Sequence, residues 1–400
     1  MSDRPHELPT PEGEYFEAGR FAGLSLILGA VGFAALVVSM IGAAVQPLQF
    51  SYSWLFAFGY FFTLCAGCFF WAIVHHAVDA EWSVVVRRQL ENISCLMVVL
   101  ALLFIPIFFL RHHLYDWLNI APGQDPALDK KRAYLNWSFF LIRTLFYFAF
   151  FIVASLLLRR LSVNQDRDGN PAFTIQMRKV AFVSLPLFAL SLTFAACDWF
   201  MSLHYTWVST MWGVYIFAGA AGSSMSLLVI VITGLREAGY LREVVTLEHY
   251  HIMGKWMLAF SVFWAYIGFS QYMLIWYANI PEETQYFLVR NTGSWWNLSS
   301  LLVFGRFFGP FAILLLRSIK KHPHQLAWMA AWILCMQMLD IYIIVLPALH
   351  GTGVHLSIWD IVSVIAIGCI LAFVYLRIIG RSSLFPVRDP RLIESIRIVN

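Results

Sequence analysis

Two cysteines, two histidines and two carboxylates fall within CAGCFFWAIVHHAVDAEW, residues 65–82. Thiolate, imidazole and carboxylate are metal-ligand chemistry, so a metal or haem site is the first reading to weigh. Cys65, Cys68, Ala72, His75 or His76, and Asp79 follow a 3-4-3-4 spacing, which predicts one helical stripe. A helix rises about 1.5 Å per residue, so Cys65 and His75 stand roughly 15 Å apart and cannot share one ion. Cys65-x-x-Cys68 is followed by Phe69, so the C-x-x-C-H attachment pattern of c-type haem is absent. The cysteines then read as small polarizable residues at a helix seam. His75, His76 and Asp79, with Glu81, come just before Trp82, Arg87 and Arg88. They fit an interfacial turn with an aromatic anchor, or a protonatable entry to a path between helices.

The other informative residues are ionisable groups inside apolar runs. A charge in lipid costs several kcal/mol and needs a partner or water. Arg306 interrupts SLLVFGRFFGPF, Asp340 interrupts CMQMLDIYIIVLP, and Arg143, Asp198 and Asp360 lie in or at the ends of further runs. Two arginines and three aspartates at overlapping depth predict compensating pairs, with Arg306–Asp340 favoured because their segments are joined by a short loop. Such a pair can fix helix packing, line an outer half-channel for protons, or form a polar pocket for a quinone headgroup. Gln271, Tyr272 and Asn279 would extend the same polar face. Residues 197–212, CDWFMSLHYTWVSTMW, place Asp198, His204 and Tyr205 among three tryptophans, as an aromatic belt or a resting place for an amphipathic ring. Haem ligation between spans would draw on His75/His76 with His249/His251, or His112/His113 with His204. None of these is well inside the hydrocarbon, and no cysteine cluster offers iron–sulfur ligation.

The elements that must hold these residues are membrane helices. Of the 400 residues 60% are hydrophobic and only 12% charged, against about 25% charged in an average soluble domain. The net charge of +4 gives no nucleic-acid surface, and six scattered cysteines give no disulfide framework. A bilayer core of roughly 30 Å needs about 20 apolar residues of helix. Ten runs qualify, at 21–45, 52–76, 92–110, 136–158, 179–200, 209–233, 256–278, 295–316, 326–347 and 357–378. The expected fold is therefore an all-α polytopic membrane protein. Of the 27 Lys and Arg, Arg143 and Arg306 lie within spans and five (Arg111, Lys130, Lys131, Arg132, Arg290) fall on one side. The remaining twenty share the other side, so both termini are expected in the cytoplasm. Residues 1–20 form a polar N-terminal segment without the h-region of a signal peptide, and 381–400 a C-terminal tail. Between them, 21–380 is a transmembrane domain. It divides into two four-helix bundles (about 52–200 and 209–347) flanked by 21–45 and 357–378, with halves related by an axis along the membrane normal.

Three stretches carry more than spacing. HHAVDAEWSVVVRRQLE (75–91), ACDWFMSLHYTWVSTMWGVYIFAGA (196–220) and YHIMGKWMLAFSVFWAYIGFSQYMLIWYANIPEET (250–284) resemble signature segments of the polysulfide-reductase-type membrane subunits. The chain resembles the F-type membrane subunits of bacterial alternative complex III, a quinol:electron-acceptor oxidoreductase, over nearly its whole length. The resemblance implies two four-helix bundles plus two flanking helices, in a multi-pass subunit of the bacterial cytoplasmic membrane. It implies a chain that binds no cofactor of its own, beside a sister membrane subunit, an iron–sulfur protein and c-type cytochromes. Those partners would carry the iron–sulfur clusters and haems that take electrons from menaquinol or a related quinol. The family's well-formed quinol site belongs to the sister subunit, and its residues have no clear counterpart here. Proton movement, proposed for such subunits, would fall on the ionisable groups above.

Two other classes fit the same residues. A stand-alone proton-coupled secondary transporter would use Arg306, Asp340 and Asp360 at its substrate site. It would show helices interrupted at matching places in the two halves, for which Gly305 and Gly309-Pro310 offer one instance. A purely structural anchor would use its polar groups only as packing glue.

Overall fold

The computed structural model describes residues 13–399, and ten helices in it are long and apolar enough to cross a membrane. They are α1 (Ala22–Val45), α2 (Pro47–Ala77), α3 (Glu81–Phe109), α4 (Trp137–Asp168), α5 (Ala172–Trp199), α6 (Trp212–Glu237), α7 (Leu247–Ala278), α8 (Gly293–Leu315), α9 (Pro323–Val345) and α10 (Ile358–Ile379). Among the described residues there is no β-strand beyond one isolated bridge, Tyr15 to Ser383. The protein is an all-α polytopic membrane protein. Arg4 and the rest of residues 1–12 lie outside the described residues.

Helices α2 to α5 pack around one another, α6 to α9 do likewise, and α1 pairs with α10 on the outside of α2. The two sets meet chiefly where α2 crosses α6. These two helices are the axis of the molecule: 83% of the apolar window of α2 is buried and 78% of that of α6, against 17% for α1. Lipid chains are as apolar as leucine, so close backbone approach and polar glue, rather than hydrophobicity, must hold such a crossing. The sequence supplies both. Ala220, Ala221 and Ser224 of α6 meet α2, and Trp71 donates its indole N–H to the Ala221 carbonyl at 2.9 Å. A Cβ on Gly67 would overlap the Ala220 carbonyl oxygen and the Ser224 hydroxyl. Gly67→Ala is therefore expected to lose about 1–3 kcal/mol by overpacking, read as a lowered melting temperature.

The helices run further than hydropathy alone places them. α4 continues for 32 residues, to Asp168, and α7 begins at Leu247. Arg159, Arg160 and Arg167, read as loop residues from the sequence, are helical. Arginine and glutamine are good helix formers, so the backbone passes through the interface until Gly169 takes φ +66° and ends it. The turn in NQDRDGNP is thus only its last part. Arg87 and Arg88 need a larger correction: they belong to α3, which starts eleven residues before the expected 92, and they are fully buried.

Both described ends of the chain lie on the same face as the α2–α3, α4–α5, α6–α7 and α8–α9 turns. Glu14 accepts from the Leu241 and Leu384 amides, Arg20 donates to the Ala238 carbonyl, and Arg391 reaches Asp79 at 2.8 Å. Residues 381–396 close this face, with Leu384 and Phe385 completely buried.

Candidate functional site

Each bundle contains an arginine from its third helix facing an aspartate from its fourth. In the first, Arg143 of α4 grips Asp198 of α5 with two hydrogen bonds of 2.8 Å, and Tyr147 adds a third at 2.8 Å. The guanidinium carbon lies 3.8 Å from the Tyr134 ring and 4.2 Å from the Phe139 ring, two rings set nearly perpendicular to each other. This pair is closed, with two parallel bonds and a tyrosine on one carboxylate.

The second pair is looser. Arg306 of α8 stands 3.5 Å from Asp340 of α9, an ion pair without an aligned hydrogen bond. Asp340 instead accepts from the Tyr215 hydroxyl at 2.6 Å and the Trp264 indole at 3.1 Å. Arg306 bonds the Gln337 side chain and lies 4.5 Å above the Trp264 ring. Local sequence explains the looseness. FGRFF and the Gly309-Pro310 that follows widen α8 into a π-turn over Phe304–Phe308, which re-aims Arg306.

Beyond the π-turn α8 divides its loyalties. Its inner part packs on α7, whereas its outer part, Gly293–Val303, packs on α9 and the short helix Pro281–Arg290. The outer halves of α7 and α8 therefore stand apart around a cavity of about 490 Å³, within the usual range for small-molecule sites. Tyr215, Trp264 and Asp340 close its deep end, and Gln271, Tyr286 and Arg290 its outer wall. Tyr266 and Phe269 of α7 and Phe308 of α8 line it while being 51–64% exposed, so it opens sideways between the two helices. In a membrane-spanning chain that direction is the lipid.

Arg290 is the residue that the sequence reading misplaced most. Counted there as an outer-loop charge, it is buried in the cavity wall, donating to the Tyr286, Ile343 and Ile344 carbonyls at 2.8–3.0 Å. Its carbon lies 3.5 Å over the Tyr286 ring, which stacks on Trp207 at 3.9 Å. Among the described residues it has no carboxylate partner. Burial pushes its pKa down, but arginine keeps its proton in proteins. The cavity wall thus carries a guanidinium without a carboxylate partner, Arg290, together with an aspartate already neutralised by Arg306.

The inner face gathers the other candidates. His76 shares Glu91 with Arg87 and Arg88, at 3.1, 3.4 and 3.3 Å, all four side chains being buried. Arg87 also meets Asp389 at 2.6 Å, and Arg88 meets Asp166 at 2.8 Å. Burial alone would raise the Asp389 carboxyl; Arg87 and Arg391 outweigh it and hold it well below the usual carboxylate range. His75 is buried between Trp71 and Trp82 with neither ring nitrogen bonded. Asp79 departs from expectation. α2 ends at Ala77, so Asp79 is off the stripe, in left-handed backbone (φ +52°), half-exposed and paired with Arg178 and Arg391. Glu81 is exposed.

Asp360 is a second correction. It is not the partner of an arginine but the cap of α10, accepting from the Ser357 amide and from the Ser53 hydroxyl at 2.9 and 2.6 Å. Asn279 is likewise a left-handed helix cap rather than part of the polar face, whereas Gln271 and Tyr272 do line the cavity. His204 packs edge-on against Tyr286, behind the cavity wall. His76, His112 and His249 each spend a ring nitrogen on Glu91, Asn119 or Thr246. Among the described residues no three His, Cys, Asp or Glu side chains converge as metal ligands.

Sequence reasoning missed Glu91, Tyr215, Trp264 and Asp389. Only Glu91 left a local signal, the i,i+4 spacing of Arg87 and Glu91 within RRQLE. No family model matches this chain, and no curated protein sequence matches it.

Proposed function

We propose that the chain is an integral membrane subunit, without a cofactor of its own, of a bacterial quinol-oxidising electron-transfer complex of the alternative complex III kind. Its place would be the cytoplasmic membrane, with both termini in the cytoplasm. A sister membrane subunit, an iron–sulfur protein and c-type cytochromes would carry the electrons from menaquinol or a related quinol. This chain would contribute scaffold, quinone or lipid contact, and a route for protons along its buried ionisable groups. The observation that carries the reading is the laterally open cavity. A lipid-soluble ring would enter it from the bilayer, and its polar end would meet Arg290, Gln271 and the Asp340 cluster. The sequence resemblance supports the same reading.

The transporter alternative requires matching helix interruptions in the two halves. The π-turn of α8 has its positional counterpart in α4, which runs unbroken through 32 residues. That asymmetry favours the subunit reading.

The test is purification of the native assembly under mild detergent. Haem-bearing and iron–sulfur companions are expected, with no reduced-minus-oxidised absorption band from the isolated chain. A chain that purifies alone and carries substrate into vesicles, or that shows its own haem band, would overturn the proposal.

A further inference from the structure

Resting on the reading of the cavity as a quinone contact, we infer that this site prefers the oxidised ring, the dione, over the reduced diol. The argument is an inventory of donors and acceptors. A guanidinium carries five N–H donors, and Arg290 commits three of them to carbonyls. Two remain on a buried cation that faces the cavity without a carboxylate partner. A carboxylate has about four lone-pair positions; Asp340 accepts from Tyr215 and Trp264 and faces Arg306 as an ion pair at 3.5 Å, so its charge is already shared among three groups. Gln271 donates its amide N–H to Ser209 at 2.7 Å and Asn291 donates to the Tyr272 hydroxyl at 3.4 Å, which leaves their two neutral amide carbonyls as acceptors in the wall.

A ring entering from the lipid therefore meets charged donors in surplus and few open acceptors. The two carbonyl oxygens of a dione only accept. Charge-assisted bonds to such an acceptor are roughly twice as strong as neutral ones. The diol must also place two O–H donors, and the acceptor best suited to them, Asp340, already takes two hydrogen bonds and is neutralised by Arg306. The opposite pair of the molecule sharpens the contrast. Arg143 and Asp198 are joined directly by two bonds, whereas in the second bundle the pair is relaxed and a separate cation, Arg290, is added beside a cavity.

The experiment is equilibrium dialysis of the detergent-solubilised full chain against 2,3-dimethyl-1,4-naphthoquinone. The same compound is then measured after chemical reduction, under strict exclusion of oxygen. Saturable binding is expected for the dione, about tenfold tighter than for the diol. For a two-electron couple, tenfold corresponds to about 30 mV, so the bound couple would be that much more reducing than the free one. Ala265→Trp adds bulk at the cavity lining, away from the polar groups, and is expected to abolish saturable binding of both forms. Arg290→Gln is expected to bring the dione down to the affinity of the diol. If Arg290→Gln fails to fold, as its melting curve would reveal, the parent ratio and Ala265→Trp decide alone. Equal affinity for the two forms, or tighter binding of the diol, overturns this inference and leaves the quinone reading standing. Binding that Ala265→Trp does not change, or no saturable binding of either form, overturns both the inference and the cavity reading.

Discussion

Glu91→Ala is expected to destabilise the protein by about 3–5 kcal/mol, the loss typical when one partner of a buried ion network is removed. Glu91 is fully buried and stands between His76, Arg87 and Arg88. Taking it away leaves two guanidinium groups with only Asp389 and Asp166 as counter-charges, and both of those reach in from other segments. Water cannot easily replace the carboxylate, because the surrounding Val84, Val85, Val86 and Leu90 are completely buried. Glu91→Gln keeps the shape and one acceptor, so its loss should be smaller but in the same direction. The measurement is the melting temperature of the purified chain, with yield of folded protein as a second readout. An alanine variant that melts with the parent would show that Arg87 and Arg88 are neutralised without Glu91.

The second large effect concerns Arg306 and Asp340. Asp340→Asn and Arg306→Met, made singly, should each lower stability by about 3–5 kcal/mol, because each strands a buried charge. The double variant removes both charges and should recover a substantial part of that loss, giving a coupling of about 1–3 kcal/mol in the double-mutant cycle. Turnover of the assembled complex separates packing from proton movement. The expectation is a double variant that assembles normally yet has lost proton-coupled turnover. If every variant pumps and turns over as the parent does, protons do not pass through this pair.

The fold was legible in the sequence because a bilayer leaves few choices: every apolar run of sufficient length must be a helix. The Arg306–Asp340 pair was legible for a related reason, since two charges in successive spans joined by a short turn have few other partners. Helix ends were less legible. Arg87 and Arg159 look like loop residues by charge, yet α3 and α4 carry them inside, where Asp389 and Asn92 meet them. Asp360 shows the reverse error. A carboxylate at the first turn of a helix has a local use as a cap, and that use needs no arginine. The cavity could not be read at all. It depends on a π-turn that re-aims one residue and on Arg290 folding back into the wall, and both are outcomes of packing between helices.

The clasp of residues 381–396 over the inner face has a consequence for biogenesis. Asp389 follows Arg87 by 302 positions. At the usual ribosomal pace of about 5–20 residues per second, α3 awaits this counter-charge for about 15–60 s after its arginines are made. During that interval the first bundle is inserted but electrostatically unfinished. A nascent chain halted before residue 389 would hold Arg87 against Glu91 alone, with Arg88 already paired to Glu91 and Asp166, so the inner face gains its full charge balance only when this stretch docks.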